Sequence, residues 1–131
     1  MTEAKRILVI EDNENNMYLI TFILERNGFE VIGARNATNG INLAIEKDPD
    51  LIIMDIQLPD IDGLEATRRI KSTEKGSKMP IVAVTSYAMT GDREKALSAG
   101  CDGYIEKPIN PETIVSEIEK HLPRPNKGGD I

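Results

Sequence analysis

The sequence predicts an α/β fold in which a parallel sheet is covered by helices on both faces, and three observations carry that prediction. Ile7-Leu8-Val9-Ile10, Leu51-Ile52-Ile53-Met54 and Ile81-Val82-Ala83-Val84 are apolar without interruption, as expected of strands buried on both sides. The stretches between strand candidates carry apolar residues at helical spacing. The length of 131 residues suits one domain with a single substantial core.

The first strand, Ile7 to Ile10, stops at Glu11-Asp12. Asn13-Glu14-Asn15-Asn16 supplies capping side chains, and Leu19, Ile20, Ile23 and Leu24 form the sheet-facing stripe of a helix closed by Asn27-Gly28. Glu30 to Ala34 is a shorter second strand, and Ala37, Ile41, Ala44 and Ile45 mark a helix that ends before Pro49. The third strand runs from Leu51 into Asp55, a carboxylate expected at the strand's carboxyl end because strand interiors seldom hold a charge. Asp60-Ile61-Asp62-Gly63 turns into a helix through Ile70, with Arg68, Arg69 and Lys71 on a solvated face. Pro80 introduces the fourth strand, which ends at Thr85-Ser86, and a helix from about Asp92 to Ala99 stops at Gly100. Gly103 to Glu106 is the fifth strand, meeting Lys107-Pro108, and Ile114, Val115, Ile118 and Leu122 trace the last helix.

The formal charge of -6, from 22 acidic and 16 basic residues, argues against a nucleic-acid or anionic membrane surface and permits a cation site. One cysteine, Cys101, excludes an internal disulfide, suits a reducing compartment and reads as a small half-buried side chain. The amino terminus lacks the apolar length of a signal peptide, no run is long enough to span a membrane, and a cytoplasmic protein is expected.

With right-handed crossovers, all five strands point the same way. Glu11-Asp12, Asp55, Thr85-Ser86 and Lys107 each follow a strand directly, so they converge on the edge where ligands gather in open α/β sheets. Carboxylates about 4 Å apart repel by roughly 4 kcal/mol at an effective dielectric near 20. Lys107 and a divalent cation are the candidates to offset that repulsion. An oxygen donor set without histidine or cysteine favours Mg²⁺, with Mn²⁺ as a substitute. A carboxylate beside a cation, a lysine and a hydroxyl suits phosphoryl transfer, which needs charge neutralisation and positioning more than proton movement. Asp55 is assigned as acceptor, Asp12 as metal ligand, Glu11 as a second acid acting through water and the Gln57 backbone carbonyl as a further ligand. Lys107 and Thr85 are assigned to phosphoryl oxygens, with Ser86 beside them.

These residues carry a family resemblance. Ile7 to Asn13, Met54-Asp55-Ile56-Gln57-Leu58-Pro59 with Asp62-Gly63, Val84-Thr85-Ser86 and Tyr104-Ile105-Glu106-Lys107-Pro108 together resemble the receiver domain of two-component response regulators, over about residues 5 to 122. The resemblance implies a flavodoxin-like three-layer sandwich with strand order 2-1-3-4-5. It also implies transfer to Asp55 from the phosphohistidine of a sensor histidine kinase or phosphotransfer protein, Mg²⁺ dependence, a cis bond before Pro108 and slow self-catalysed dephosphorylation. Such a protein assists its own phosphorylation without being a conventional enzyme. Phosphorylation adds charge and acceptor oxygens, and the resemblance implies that Thr85 is then drawn in, Tyr104 rotates and the binding of a downstream protein changes. The first acid is Glu11 where many family members have Asp.

Tyr18 and Phe22, with Met17 at the margin, lie off the buried stripe of the first helix and are expected to help dock a helical phosphodonor. Tyr87 and Met89 are expected on the output side. Residues 123–131 lack periodicity and are expected to form a flexible tail after a receiver domain at 1–122. A stand-alone receiver is expected, monomeric or weakly dimeric on phosphorylation; a receiver excised from a hybrid histidine kinase is the alternative. An aspartate-nucleophile phosphohydrolase would place its nucleophile after the first strand with a second Asp two residues on, where Asp55 follows the third strand and position 57 is Gln. A flavodoxin-like cofactor binder would need a phosphate loop where Glu11-Asp12-Asn13-Glu14 repels phosphate.

Overall fold

The computed structural model describes residues 4–86 and 91–122. Five parallel strands, β1 (Arg6–Ile10), β2 (Glu30–Ala34), β3 (Leu51–Asp55), β4 (Ile81–Thr85) and β5 (Gly103–Glu106), form one sheet in the order β2-β1-β3-β4-β5. Helices α1 (Glu14–Arg26), α2 (Ala37–Lys47), α3 (Gly63–Lys71) and α4 (Asp92–Ala99) fill the four crossovers, and α5 (Pro111–His121) follows β5. A short 3₁₀ turn at Gly76–Lys78, not marked by the apolar pattern, precedes β4.

Period-two alternation in the strands divides the core into two layers. Leu8, Ile10, Ile52, Met54, Ile81 and Ala83 face α2, α3 and α4, through Ala37, Ala44, Ala66, Ile70 and Ala96. Ile7, Val9, Leu51, Ile53, Val82, Val84 and Ile105 face α1 and α5, through Ile20, Ile23, Leu24, Ile114 and Ile118. Each fully buried isoleucine or leucine contributes roughly 1.5–3 kcal/mol, so the paired layers hold β1, β3 and β4 rigidly at the centre.

Four of the five α-helices are capped locally at their starts. Asn13, Asn36, Asp62 and Asn110 each accept a backbone N–H from the first turn of the helix that follows. Gly28, at φ 87°, lets the chain leave α1 in a left-handed conformation that a side chain would strain.

Three details differ from the pattern-based reading. Leu19 does not face the sheet but is 38% exposed, because α1 buries only the narrower stripe of Ile20, Ile23 and Leu24. Lys71 leaves the solvated face; its ammonium donates to the Met79 carbonyl and pairs with Asp102 at 3.2 Å. Cys101 is buried rather than half-buried, with its sulfur 3.7 Å from the Thr67 hydroxyl, and burial raises its thiol pKa. Tyr87, Met89 and the 123–131 tail lie outside the described residues. Among the described residues no helix is long and apolar enough to cross a membrane.

Gly63 opens α3 directly beneath the end of β3. A Cβ there would sit 2.4 Å from the Asp55 carbonyl oxygen and 2.7 Å from the Ile56 Cα. Backbone cannot yield as a side-chain tip can, so Gly63→Ala should lower stability by about 1–3 kcal/mol in urea unfolding. An unchanged midpoint would show that the β3 to α3 junction is looser than this contact requires.

Candidate functional site

The site begins with the parity of the strands. Ile7 and Val9 lead to Glu11, Leu51 and Ile53 lead to Asp55, and Ile105 leads to Lys107, all continuing the positions that face α1 and α5. The order of the sheet puts β1 beside β3 and β4 beside both β3 and β5, so the three ends lie close together. Lys107 Nζ is 3.1 Å from Glu11 Oε1 and 3.6 Å from Asp55 Oδ2. Asp12, one residue further on, is exposed. Glu11, Asp12 and Asp55 each offer a carboxylate oxygen, all within 4.8 Å of one another.

Both inner carboxylates are withdrawn from solvent, Glu11 at 1% and Asp55 at 3% exposure. Glu11 Oε2 accepts the Asn13 N–H at 3.1 Å, and Asp55 Oδ1 accepts the Gln57 N–H at 3.0 Å. Glu11 Oε1 is buried without a hydrogen bond although the Lys107 ammonium is near. One lysine therefore pairs with two of the three clustered acids. Burial pushes the Asp55 carboxyl up to about 7, and the Glu11 carboxyl reinforces this by hydrogen bonding to the protonated form. The Gln57 amide and Lys107 pull the other way without offsetting it.

These features fit a hard divalent cation: an all-oxygen donor set, more carboxyl groups than one ammonium can neutralise and a buried oxygen lacking a hydrogen bond. The exposure of Asp12 and Gln57 leaves the donor set open to water on one side. Glu11, although ion-paired with Lys107, lies close enough to the other two carboxylates to be among the candidate donors.

Thr85, 2% exposed, ends β4 beside β5, and its carbonyl accepts the Lys107 N–H at 2.8 Å. Ser86 is exposed. Tyr104, paired in register with Ala83, packs partly buried against the α2, α3 and α4 layer, and burial raises its phenol pKa. The Lys107–Pro108 peptide is cis. Away from the strand ends, Tyr18 (73% exposed) stacks on Phe22 (48% exposed) with ring centroids 6.4 Å apart, and the Arg26 guanidinium lies over Phe22. Met17 is partly buried against the α1 layer.

Pattern reading missed Asp60. Its carboxylate accepts the Ala37 and Thr38 N–H groups, each at 2.9 Å, and the Thr38 hydroxyl at 2.7 Å. The Thr38 hydroxyl and these amides hold its pKa well below the usual carboxylate range. In sequence it is one of two acids in a turn, and its partners lie 22 and 23 residues upstream.

Residues 7–119 match the family described as the response regulator receiver domain. The chain belongs to that family. Over 91% of its length it is 42% identical to the polar-differentiation response regulator DivK of Brucella ovis, covering 97% of that protein. The receiver is also similar to two solved structures. One is a CheY-like receiver domain protein from Methanospirillum hungatei, 32% identical with a TM-score of 0.83, over 90% of this chain and 93% of that one. The other is the receiver domain of the sensor histidine kinase PA1611 from Pseudomonas aeruginosa, 34% identical with a TM-score of 0.85, over 90% of this chain and 97% of that one; it holds a magnesium ion in its active-site cleft. The chain is thus a response regulator receiver of two-component signalling.

The raised Asp55 pKa links stability to pH. Folded Asp55 holds its proton up to about pH 7 whereas the unfolded side chain loses it near 3.8, so stability falls as pH rises between those values. In metal-free buffer Asp55→Asn should therefore gain stability over wild type at pH 8, by up to about 4 kcal/mol. The gain should vanish near pH 4. Urea unfolding at both pH values checks this, and a gain independent of pH would contradict it.

Proposed function

We propose that this receiver takes a phosphoryl group onto Asp55 from the phosphohistidine of a sensor histidine kinase or phosphotransfer protein and thereby changes its binding of a downstream protein. The observation that carries the reading is Asp55 itself: a buried carboxylate at the end of the central strand, with Glu11, Asp12 and Lys107 gathered around it. In the transfer, an Asp55 oxygen forms a bond to phosphorus as the bond from phosphorus to the donor imidazole nitrogen breaks. The bonding pair returns to the imidazole.

Asp55 must be ionised to attack. Mg²⁺ held by Glu11, Asp12, Asp55 and the Gln57 carbonyl would neutralise the excess negative charge and favour the ionised form. Lys107 supplies a fixed positive charge, already 3.6 Å from Asp55, for an oxygen of the incoming group. The Gln57 amide orients the Asp55 carboxylate so that its other oxygen is the one presented. Thr85, which ends the neighbouring strand, and Ser86, which follows it, offer hydroxyls to the phosphoryl oxygens. After transfer the side chain carries about two negative charges and three strong acceptor oxygens. Attraction of Thr85 toward them, with rotation of the half-buried Tyr104, is the proposed route to the output surface.

The exposed Tyr18 and Phe22 pair, with Met17 at its margin, is proposed to dock the helix that carries the donor histidine. Residues 1–122 are proposed as the receiver unit, acting in the cytoplasm.

Incubation with acetyl phosphate and Mg²⁺ should add the mass of one phosphoryl group to the intact protein. Asp55→Asn should add none, and Lys107→Ala should be slower by roughly a hundredfold. Equal labelling of Asp55→Asn would contradict the assignment. Tyr18→Glu with Phe22→Glu should leave labelling by acetyl phosphate intact while slowing transfer from a cognate phosphohistidine donor; equal slowing of both, in a folded protein, would exclude a docking role.

A further inference from the structure

The loop between β3 and α3 carries Gln57, whose amide holds Asp55 and whose carbonyl is a proposed cation ligand. Gln57 and Pro59 are exposed, while Leu58 and Ile61 reach the core only partly. What fastens the loop from outside is Asp60, which accepts two backbone N–H groups and a hydroxyl from the first turn of α2. That turn has its own cap as well. Asn36 accepts the Asn39 N–H at 2.8 Å and the Asn36 carbonyl accepts the Gly40 N–H at 3.0 Å. Asp60 therefore satisfies the Ala37 and Thr38 amides, for which Asn36 makes no bond among those described.

The other end of this connection is equally fixed. A Cβ on Gly40 would sit 2.4 Å from the Ile10 side chain, so α2 lies tightly on the last residue of β1, next to Glu11. The Glu11 N–H in turn donates to the Ala34 carbonyl at the end of β2. A continuous path thus runs from Glu11 through Ile10 and Gly40 to the start of α2, and through Asp60 back to Gln57 and Asp55.

We propose that Asp60 is a positioning residue: by clamping the loop onto α2, it fixes the distance between the Gln57 carbonyl and the Glu11-Asp12 end of β1. The inference rests on the reading of these groups as a cation and phosphoryl site. Without the clamp, α2 keeps its Asn36 cap, the sheet keeps its order and Ile56 keeps its backbone bonds to Val84 and Gly63, but past the Gln57 N–H, which Asp55 accepts, the Gln57 carbonyl is held less tightly and samples more than one arrangement. Cation binding must then select among them, and affinity falls.

The test is Mg²⁺ titration of the full chain, followed through the Gln57 amide resonance, with acetyl phosphate labelling in parallel. Asp60→Ala should raise the Mg²⁺ dissociation constant on the order of tenfold, as loss of outer partners of metal ligands does. Asp60→Asn, which keeps one acceptor oxygen, should fall between it and wild type. Asn36→Ala loses the other cap of the same helix without touching the loop; it should lower the melting temperature comparably yet leave Mg²⁺ affinity at the wild-type value. Equal weakening by Asp60→Ala and Asn36→Ala, or by neither, overturns the proposal. Should Asp60→Ala not fold, Asp60→Asn decides, with unchanged affinity overturning it. A wild-type chain that binds Mg²⁺ without being labelled overturns the phosphoryl reading but leaves the clamp to be judged on affinity; one that binds no Mg²⁺ overturns both.

Discussion

The structure turns on an electrostatic imbalance at the carboxyl edge of the sheet. Two carboxylates, Glu11 and Asp55, are almost wholly buried around one ammonium, and a third, Asp12, stands beside them on the solvent side. A folded chain would ordinarily avoid such an arrangement, since unbalanced buried charge opposes folding. Here the core supports it. The apolar alternation of β1, β3 and β5 holds each strand in register, and register alone determines which side chain reaches the edge. A shift of one residue in β3 would turn Asp55 to the other layer.

The same imbalance is what makes the site responsive. With its carboxyl pushed up to about 7, Asp55 is sensitive near neutral pH to any positive charge brought beside it, and the proposed conversion to an acyl phosphate would change the charge there again. Lys107 is placed to interact with either state, because it spans Glu11 and Asp55 and its backbone is tied to Thr85. Charge at the edge, the Thr85 end of β4 and the half-buried Tyr104 on β5 thus belong to one connected set of strand ends.

Much of this was legible in the sequence, for physical reasons. Strands buried on both faces must be continuously apolar, so Ile7–Ile10, Leu51–Met54 and Ile81–Val84 announce themselves, and the residues that follow them must lie on one edge if the strands are parallel. The strand order was not in the periodicity; it came with the family resemblance. What local pattern could not reveal were contacts across distance. Nothing near Asp60 points to Thr38, and nothing near Lys71 points to Asp102. Leu19 failed for a different reason: hydrophobicity reports what can be buried, and the sheet has room for only part of α1.

The central claim is that Asp55 is held partly protonated at neutral pH by burial and by Glu11, and that a cation at this edge releases the proton. Calorimetric Mg²⁺ titrations at pH 7 in buffers of different ionisation enthalpy measure that directly. Release of roughly half a proton per Mg²⁺ bound by wild type, and of none by Asp55→Asn, is the result expected from linkage. Binding without proton release, or equal release from both proteins, would contradict it.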